Sequence, residues 1–207
     1  MQSMYNAIRE VIKMLISIIG KSGSGKSFFS KKLAAYNKKI IHIDVDKISH
    51  KILTYSEIKK KLVEEFGQEV VRANEVQRKI LGEKVFSSES SMNKLTEITW
   101  PIMEKEIDEI IENNQDRIII LDWLLIPKTK YFEKSDLKIL ITAPLKQRMK
   151  LVTKRDNVSN DYFNKREKAG IEFNEKDYDV VIQNISEEQI IKEAREIYEK
   201  SIISGEF

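Results

Sequence analysis

The chain has 207 residues, 41% apolar and 33% charged, with 36 basic and 33 acidic side chains and a net charge of +3. That size and balance fit one soluble α/β domain with inserted segments, and the charge is too mild for a nucleic-acid binder, which needs a concentrated basic face. The absence of cysteine excludes disulfides, thiolate chemistry and cysteine-ligated zinc, and no apolar run reaches the ~18 residues of a bilayer span.

In chain order, residues 1–13 carry Arg9, Glu10 and Lys13 among apolar positions, with no continuous hydrophobic stretch and no small-residue cleavage site. They read as a short helical extension or the product of an upstream start codon, and the protein as cytoplasmic. A first strand is predicted over Leu15 to Ile19, ending at Gly20, and a helix over Ser27 to Ala35. The second strand, Ile40 to Ile43, ends in Asp44-Val45-Asp46. About seventy residues of helical periodicity follow, without a strong strand signal. Within them, Met92, Leu95, Ile98, Ile102, Met103, Ile107 and Ile110 mark a helix over Ser91 to Asn113, and Pro101 predicts a kink because it removes the donor to Glu97. The third strand, Arg117 to Leu121, ends in Asp122, and the fourth runs Leu137 to Thr142. A helix from Pro144 places Arg148 and Arg155 on one face, flanking an apolar stripe of Leu145, Met149 and Val152; Arg166 follows one helix later. The fifth strand, Asp179 to Ile182, precedes Asn184, and the C-terminal helix opens with the capping-box spacing Ser186 and Gln189. Continuous apolar strands separated by helices imply an α/β fold with a parallel five-stranded sheet, flanked by helices through right-handed crossovers.

The string Gly20-Lys21-Ser22-Gly23-Ser24-Gly25-Lys26-Ser27 satisfies G-x-x-x-x-G-K-[ST] between a strand and a helix. Its glycines let backbone N–H groups converge on phosphate oxygens, and the following helix adds its positive N-terminus. Lys26 would reach the β- and γ-phosphates of ATP, and the Ser27 hydroxyl would be the Mg²⁺ ligand. A GTPase would carry N-K-x-D to read guanine. Asn93-Lys94 and Asn164-Lys165 lack the aspartate, and Asn174-Glu175-Lys176-Asp177 has the wrong order.

Carboxylates at the ends of strands lie where ligands bind in open α/β sheets. Of Asp44 and Asp46, one can take the proton of a substrate hydroxyl while the other orients metal-bound water, or both can cap the next helix. Asp122 has two open readings, partner of the Mg²⁺ shell or cap of its loop. Arg148, Arg155, Arg166 and Arg78 are each either phosphate clamps or solvated surface charges. His42 and His50 have no metal-ligand spacing and read as structural.

Taken together the chain resembles the dephospho-CoA kinase family from about Met14 to Asn184. The resemblance rests on GKSGSGKS, Asp44-Val45-Asp46-Lys47-Ile48-Ser49-His50, Phe66-Gly67, Gln77-Arg78-Lys79-Ile80-Leu81, Val85-Phe86, Gln147-Arg148 with Arg155, Arg166, and Asp179-Val180-Val181-Ile182-Gln183-Asn184. It implies ATP-dependent phosphorylation of the ribose 3′-hydroxyl of dephospho-CoA, a small-molecule acceptor. The nucleotide-binding core would span 14–50, 116–150 and 176–207. A helical acceptor-binding insertion would occupy 51–115, and a lid 151–175. By the same resemblance Asp46 is the general base, supported by Asp44, with Lys26 and Arg148 as its catalytic companions. Nucleotide contacts fall to Gly20 through Ser27, Phe28, Arg148, Arg155 and Asn184, and acceptor-side contacts to Asp44, Asp46, Arg78, Trp100, Asp122 and Arg166. Two segments depart from the family: Trp100-Pro101 replaces His-Pro, and Trp123-Leu124-Leu125-Ile126-Pro127 replaces Pro-Leu-Leu-Phe-Glu. They leave open a kinase for another nucleoside- or nucleotide-like acceptor; a non-catalytic ATP-binding module is the further alternative. Trp100 is free to stack on a base or to complete the core.

Overall fold

Five parallel strands form the sheet in the order β2-β5-β1-β6-β7, with β1 Met14–Ile19, β2 Ile40–Asp44, β5 Ile118–Asp122, β6 Leu137–Thr142 and β7 Val180–Gln183. The computed structural model describes residues 13–168 and 170–205, so the extension expected over 1–13 lies, apart from Lys13, outside the described residues. Every predicted strand is present, with ends within one residue of those expected. The chain divides into two units, one formed by the segments up to Asp44 and from Asn114 onward, the other by Val45–Asn113.

In the first unit the strands read as unbroken apolar runs because helices cover both faces of the sheet. Ile16, Ile18, Ile120, Ile139 and Ile141 are buried together with Phe29 and Leu33 of α1 (Lys26–Ala35) and with Ile190, Ala194 and Ile197 of the C-terminal helix Glu187–Ile197. That helix is capped by Ser186, whose hydroxyl accepts from the Gln189 N–H at 3.1 Å. The return bond runs from the Ile185 N–H to Gln189 Oε1 at 3.2 Å, one residue earlier than a regular capping box places it. Register aligns the strand ends: Ile18 lies beside Asp122, and Asp122 beside Asp44. From β1 the chain moves outward to β2 on one side, while β6 and β7 extend the sheet on the other. The crevice at the carboxyl end of β1 and β6 is therefore the topological switch point, the usual ligand position in such sheets.

The second unit contains α2 (Val45–Ile52), α3 (Ser56–Phe66), α4 (Arg78–Val85) and α5 (Glu89–Glu112). Ile58, Leu62 and Phe66 of α3 pack with Val70, Leu81 and Val85, and the predicted α5 stripe closes over them through Met92, Leu95, Ile98 and Ile102. The helix begins two residues before the expected start, because the Ser88 hydroxyl accepts from the Ser91 N–H and caps it. It runs through the exposed Pro101 as one element. Periodicity alone misses the small hairpin of β3 (Val71–Arg72) and β4 (Glu75–Val76). Its two turn residues, Ala73 and Asn74, have φ of 48° and 64°, the left-handed pair that a tight hairpin demands and that alanine adopts at a cost. Among the described residues no helix is long and apolar enough to cross a membrane.

Candidate active site

The phosphate loop is shaped by backbone that only glycine tolerates and by neighbours that leave no room for a Cβ. Gly25 has φ 96° and lies against the Asn184 amide; Gly23 has φ 79° and lies against the Arg148 carbonyl. The loop closes on itself through Ser24 N–H to the Lys21 carbonyl at 3.0 Å. Asn184, at the end of β7, secures it by donating from Nδ2 to the Ser24 carbonyl at 2.8 Å. Gly25 starts α1 without any side-chain cap, which leaves the N–H groups of Lys26 and Ser27 for an anionic ligand, while the Phe28 N–H donates to the Gly25 carbonyl at 3.0 Å.

Beneath the loop, Lys26 is buried and its ammonium stands 3.9 Å from Asp122 Oδ1. Asp122 is 1% exposed, and its other oxygen meets His42 Nε2 at 3.2 Å. His42 comes from β2, two residues before Asp44, so alternation puts both on one face of the strand, and the register sets that face beside Asp122. Among the described residues, two buried side-chain oxygens lack a hydrogen-bond partner: Asp122 Oδ1 and Ser24 Oγ. Both belong to this site. Leaving a buried acceptor unmade costs about 1–3 kcal/mol, and the usual explanation is an ion, water or ligand that completes it. Oxygen donors of this kind suit Mg²⁺, which binds through one or two protein oxygens plus phosphates. No cluster of three or more metal-ligating side chains occurs among the described residues.

Above the loop lies a different arrangement. Glu167, in the helix Asn160–Lys168, accepts two hydrogen bonds from Arg148 at 2.8 and 2.7 Å and one from Lys21 at 3.0 Å. Lys21 also donates to Glu172 at 2.9 Å. Arg148 is completed by the Ala143 carbonyl at 3.2 Å and the Ser22 carbonyl at 3.4 Å. The Arg148 hydrogen bonds hold the Glu167 carboxyl below its ordinary value, against burial and with help from Lys21. For Lys21, burial disfavours the charge, but the bonds to Glu172 and Glu167 outweigh it and raise its pKa. A cavity of about 190 Å³ opens here at the ends of β1 and β6, lined by Lys21, Ser24, Thr142, Ala143, Arg148 and Phe173. A larger hollow of about 510 Å³, around Phe132, Lys138 and Tyr178, touches no residue of the loop.

The helix carrying Arg148, Leu145–Asp156, corrects one expectation. Leu145 is 51% exposed, while Arg148 and Val152 are buried. Arg148 thus lies on the buried stripe, not beside it, because the helix packs on the backbone of the phosphate loop at Gly23. Arg155 points elsewhere, pairing with Asp156 at 2.6 and 2.9 Å. Asp156 is held below its usual value by the Arg155 bond, against burial, with the charges of Arg155 and Arg166 adding to the effect. So Arg148 shares Glu167 with Lys21, while Arg155 is taken up by Asp156.

In the second unit, Asp46 is exposed in the first turn of α2. Arg78 opens α4, with Nη1 3.3 Å from His50 Nε2. Trp100 is half-buried on α5 beside the buried Thr99, and the other departing segment buries Trp123 and Ile126 in the first unit. Sequence reasoning missed Glu167, Glu172 and His42. Each is joined to the site by a partner distant in sequence, which no spacing rule signals.

The chain matches the sequence model of the dephospho-CoA kinase family over residues 14–189. It is 30% identical to a dephospho-CoA kinase of Aquifex aeolicus over 195 residues, covering 89% of this chain and 96% of the relative. With that of Fusobacterium nucleatum it shares 28% identity over 176 residues, covering 84% and 90%. Among solved structures it resembles a Thermus thermophilus protein with a TM-score of 0.74 at 22% identity, covering 88% of this chain and 94% of the other. It also resembles the dephospho-CoA kinase of Campylobacter jejuni, with a TM-score of 0.55 at 22% identity, covering 89% and 95%.

Proposed function

This chain belongs to the dephospho-CoA kinase family, and we propose that it transfers the γ-phosphoryl group of ATP to the ribose 3′-hydroxyl of dephospho-CoA, giving coenzyme A. The observation that carries this reading is the extent of the family match, which takes in the phosphate loop, the helices after β2 and the Arg148 helix alike.

Gly20 to Ser27 wrap the ATP phosphates with backbone N–H groups, and Lys26 neutralises charge as it develops on the transferring group. Ser27 and Asp122 are the residues that would hold Mg²⁺, which would supply positive charge beside the phosphates, consistent with the unpartnered Asp122 oxygen. Asp46 accepts the proton of the acceptor hydroxyl, and Asp44 supports it. Lys21, Arg148, Arg155 and Arg166 supply positive charge on the nucleotide side, with 151–175 acting as a lid. Residues 51–115 carry the acceptor site, to which Arg78 and Trp100 belong.

The test is an ATP-consumption assay of purified protein against a panel of acceptors including dephospho-CoA. Dephospho-CoA should be turned over at least about a hundred-fold faster than other nucleosides and nucleotides, a margin expected of a site built for one acceptor. Preference for another acceptor would trace to Trp100-Pro101 and Trp123 to Pro127. No turnover with any acceptor would leave only ATP binding.

A further inference from the structure

His42 stands outside every role assigned above, yet it bonds the buried carboxylate that faces Lys26. Its Nε2 lies 3.2 Å from Asp122 Oδ2, with the two side chains 12% and 1% exposed. A carboxylate on a strand rotates about its last bond over a broad, two-fold range of angles, so burial alone does not decide which oxygen faces Lys26. One firm bond does. With Oδ2 held by His42, Oδ1 is turned toward Lys26, at 3.9 Å, and is left without any other partner. A buried acceptor is seldom left open in this way unless something else is to occupy it. The strand order makes the arrangement possible: β2 neighbours β5, and His42 sits opposite Ile120, two residues before Asp122.

We infer that His42 is a positioning residue for the nucleotide-bound cation, donating from Nε2 to fix Asp122 with one oxygen presented to the metal and to Lys26. The inference rests on the ATP- and Mg²⁺-binding reading above but not on the identity of the acceptor. Outer partners that orient a metal-facing group typically change metal affinity by about ten- to a hundred-fold when removed. His42→Leu keeps apolar volume and removes the donor. His42→Gln returns an N–H close to the position of Nε2, and His42→Asn is polar but too short to reach.

The experiment measures ATP affinity by calorimetry with saturating Mg²⁺ and with EDTA, alongside melting curves. His42→Leu should weaken binding of ATP with Mg²⁺ about ten-fold and leave metal-free ATP binding unchanged, while His42→Gln stays within about three-fold of the wild type. His42→Asn should behave as the leucine variant does and serves in its place if that protein does not fold. In an Asp122→Asn background, His42→Leu should add nothing, since it acts through Asp122. Leucine and asparagine variants that keep the full effect of Mg²⁺, or a glutamine variant no better than leucine, would reduce His42 to a packing residue. So would losses that multiply in the Asp122→Asn background. A wild-type protein that binds no ATP with Mg²⁺ would instead overturn the functional reading itself.

Discussion

Two carboxylates bracket the phosphate loop and are treated in opposite ways. Asp122, below it, is almost wholly buried and has one oxygen with no hydrogen-bond partner. Glu167, above it, is a fifth exposed, with a side-chain relative exposure of 21%, and is saturated by Arg148 and Lys21. The floor is built from adjacent strands, and its carboxylate keeps one oxygen without a hydrogen bond even with Lys26 3.9 Å away. The roof is built from side chains whose charges already cancel. A buried acceptor left open is suited to a cation, whereas the Arg148–Glu167 pair, with its arginine buried and two hydrogen bonds made, already meets its own demand. Nucleotide binding on this reading completes the floor and rearranges the roof.

The largest effect expected comes from breaking the floor at Lys26. Lys26→Ala should reduce kcat by about three powers of ten or more, because its charge acts on the transferring phosphates, while a melting curve shows the protein still folded. Near-normal turnover would mean the floor is not catalytic. Asp46→Asn, outside both regions, sharpens the contrast. It should lower kcat by about two to four powers of ten and leave ATP affinity unchanged. Loss of ATP binding together with activity would make Asp46 part of the nucleotide site instead of the base.

Glu167→Gln tests the roof. Without the carboxylate charge, Arg148 is left for the nucleotide while Lys21 keeps Glu172, and ATP affinity should rise about two- to five-fold, the scale of a partly exposed ion pair. Stability supplies a second reading with a definite sign. Glu167 is held below its ordinary value of 4.5 in the folded protein. Its contribution is therefore complete above that value and is lost as pH falls through the folded one. The stability difference between wild type and Glu167→Gln should be flat from neutral pH to about pH 5 and narrow in more acid solution. Melting curves that stay parallel down to pH 3 would deny Glu167 its charge-dependent role. The smallest effect lies in the second unit: Ala73→Gly relieves the left-handed turn at φ 48° and should raise stability by about 0.5–1 kcal/mol in urea unfolding.

The floor and the roof also differ in how far the sequence discloses them. Strands such as Leu137–Thr142 are legible because their burial on both faces forces unbroken apolar runs, and the loop is legible because its glycines and lysine are contiguous. Lys26 could be named from the loop motif, and Asp44 and Asp122 from strand ends. What escapes is pairing. His42 meets Asp122 only because β5 lies between β2 and β1, and no local pattern encodes strand order. Glu167 lies 19 residues from Arg148 and 146 from Lys21, and looks like any other charge on a polar helix. The Val71–Val76 hairpin stayed hidden because Ala73-Asn74 stands where Asn-Gly would have announced a turn.

Trp123, buried at 6% exposure, follows directly on Asp122, and the only other tryptophan in the sequence, Trp100, belongs to the second unit. The protein therefore carries a natural fluorophore one residue from the floor of the loop. Replacing Trp100 by phenylalanine would leave a single emitter there, so that titration with ATP and Mg²⁺ becomes visible as a change in the intensity and colour of its emission, with no label attached.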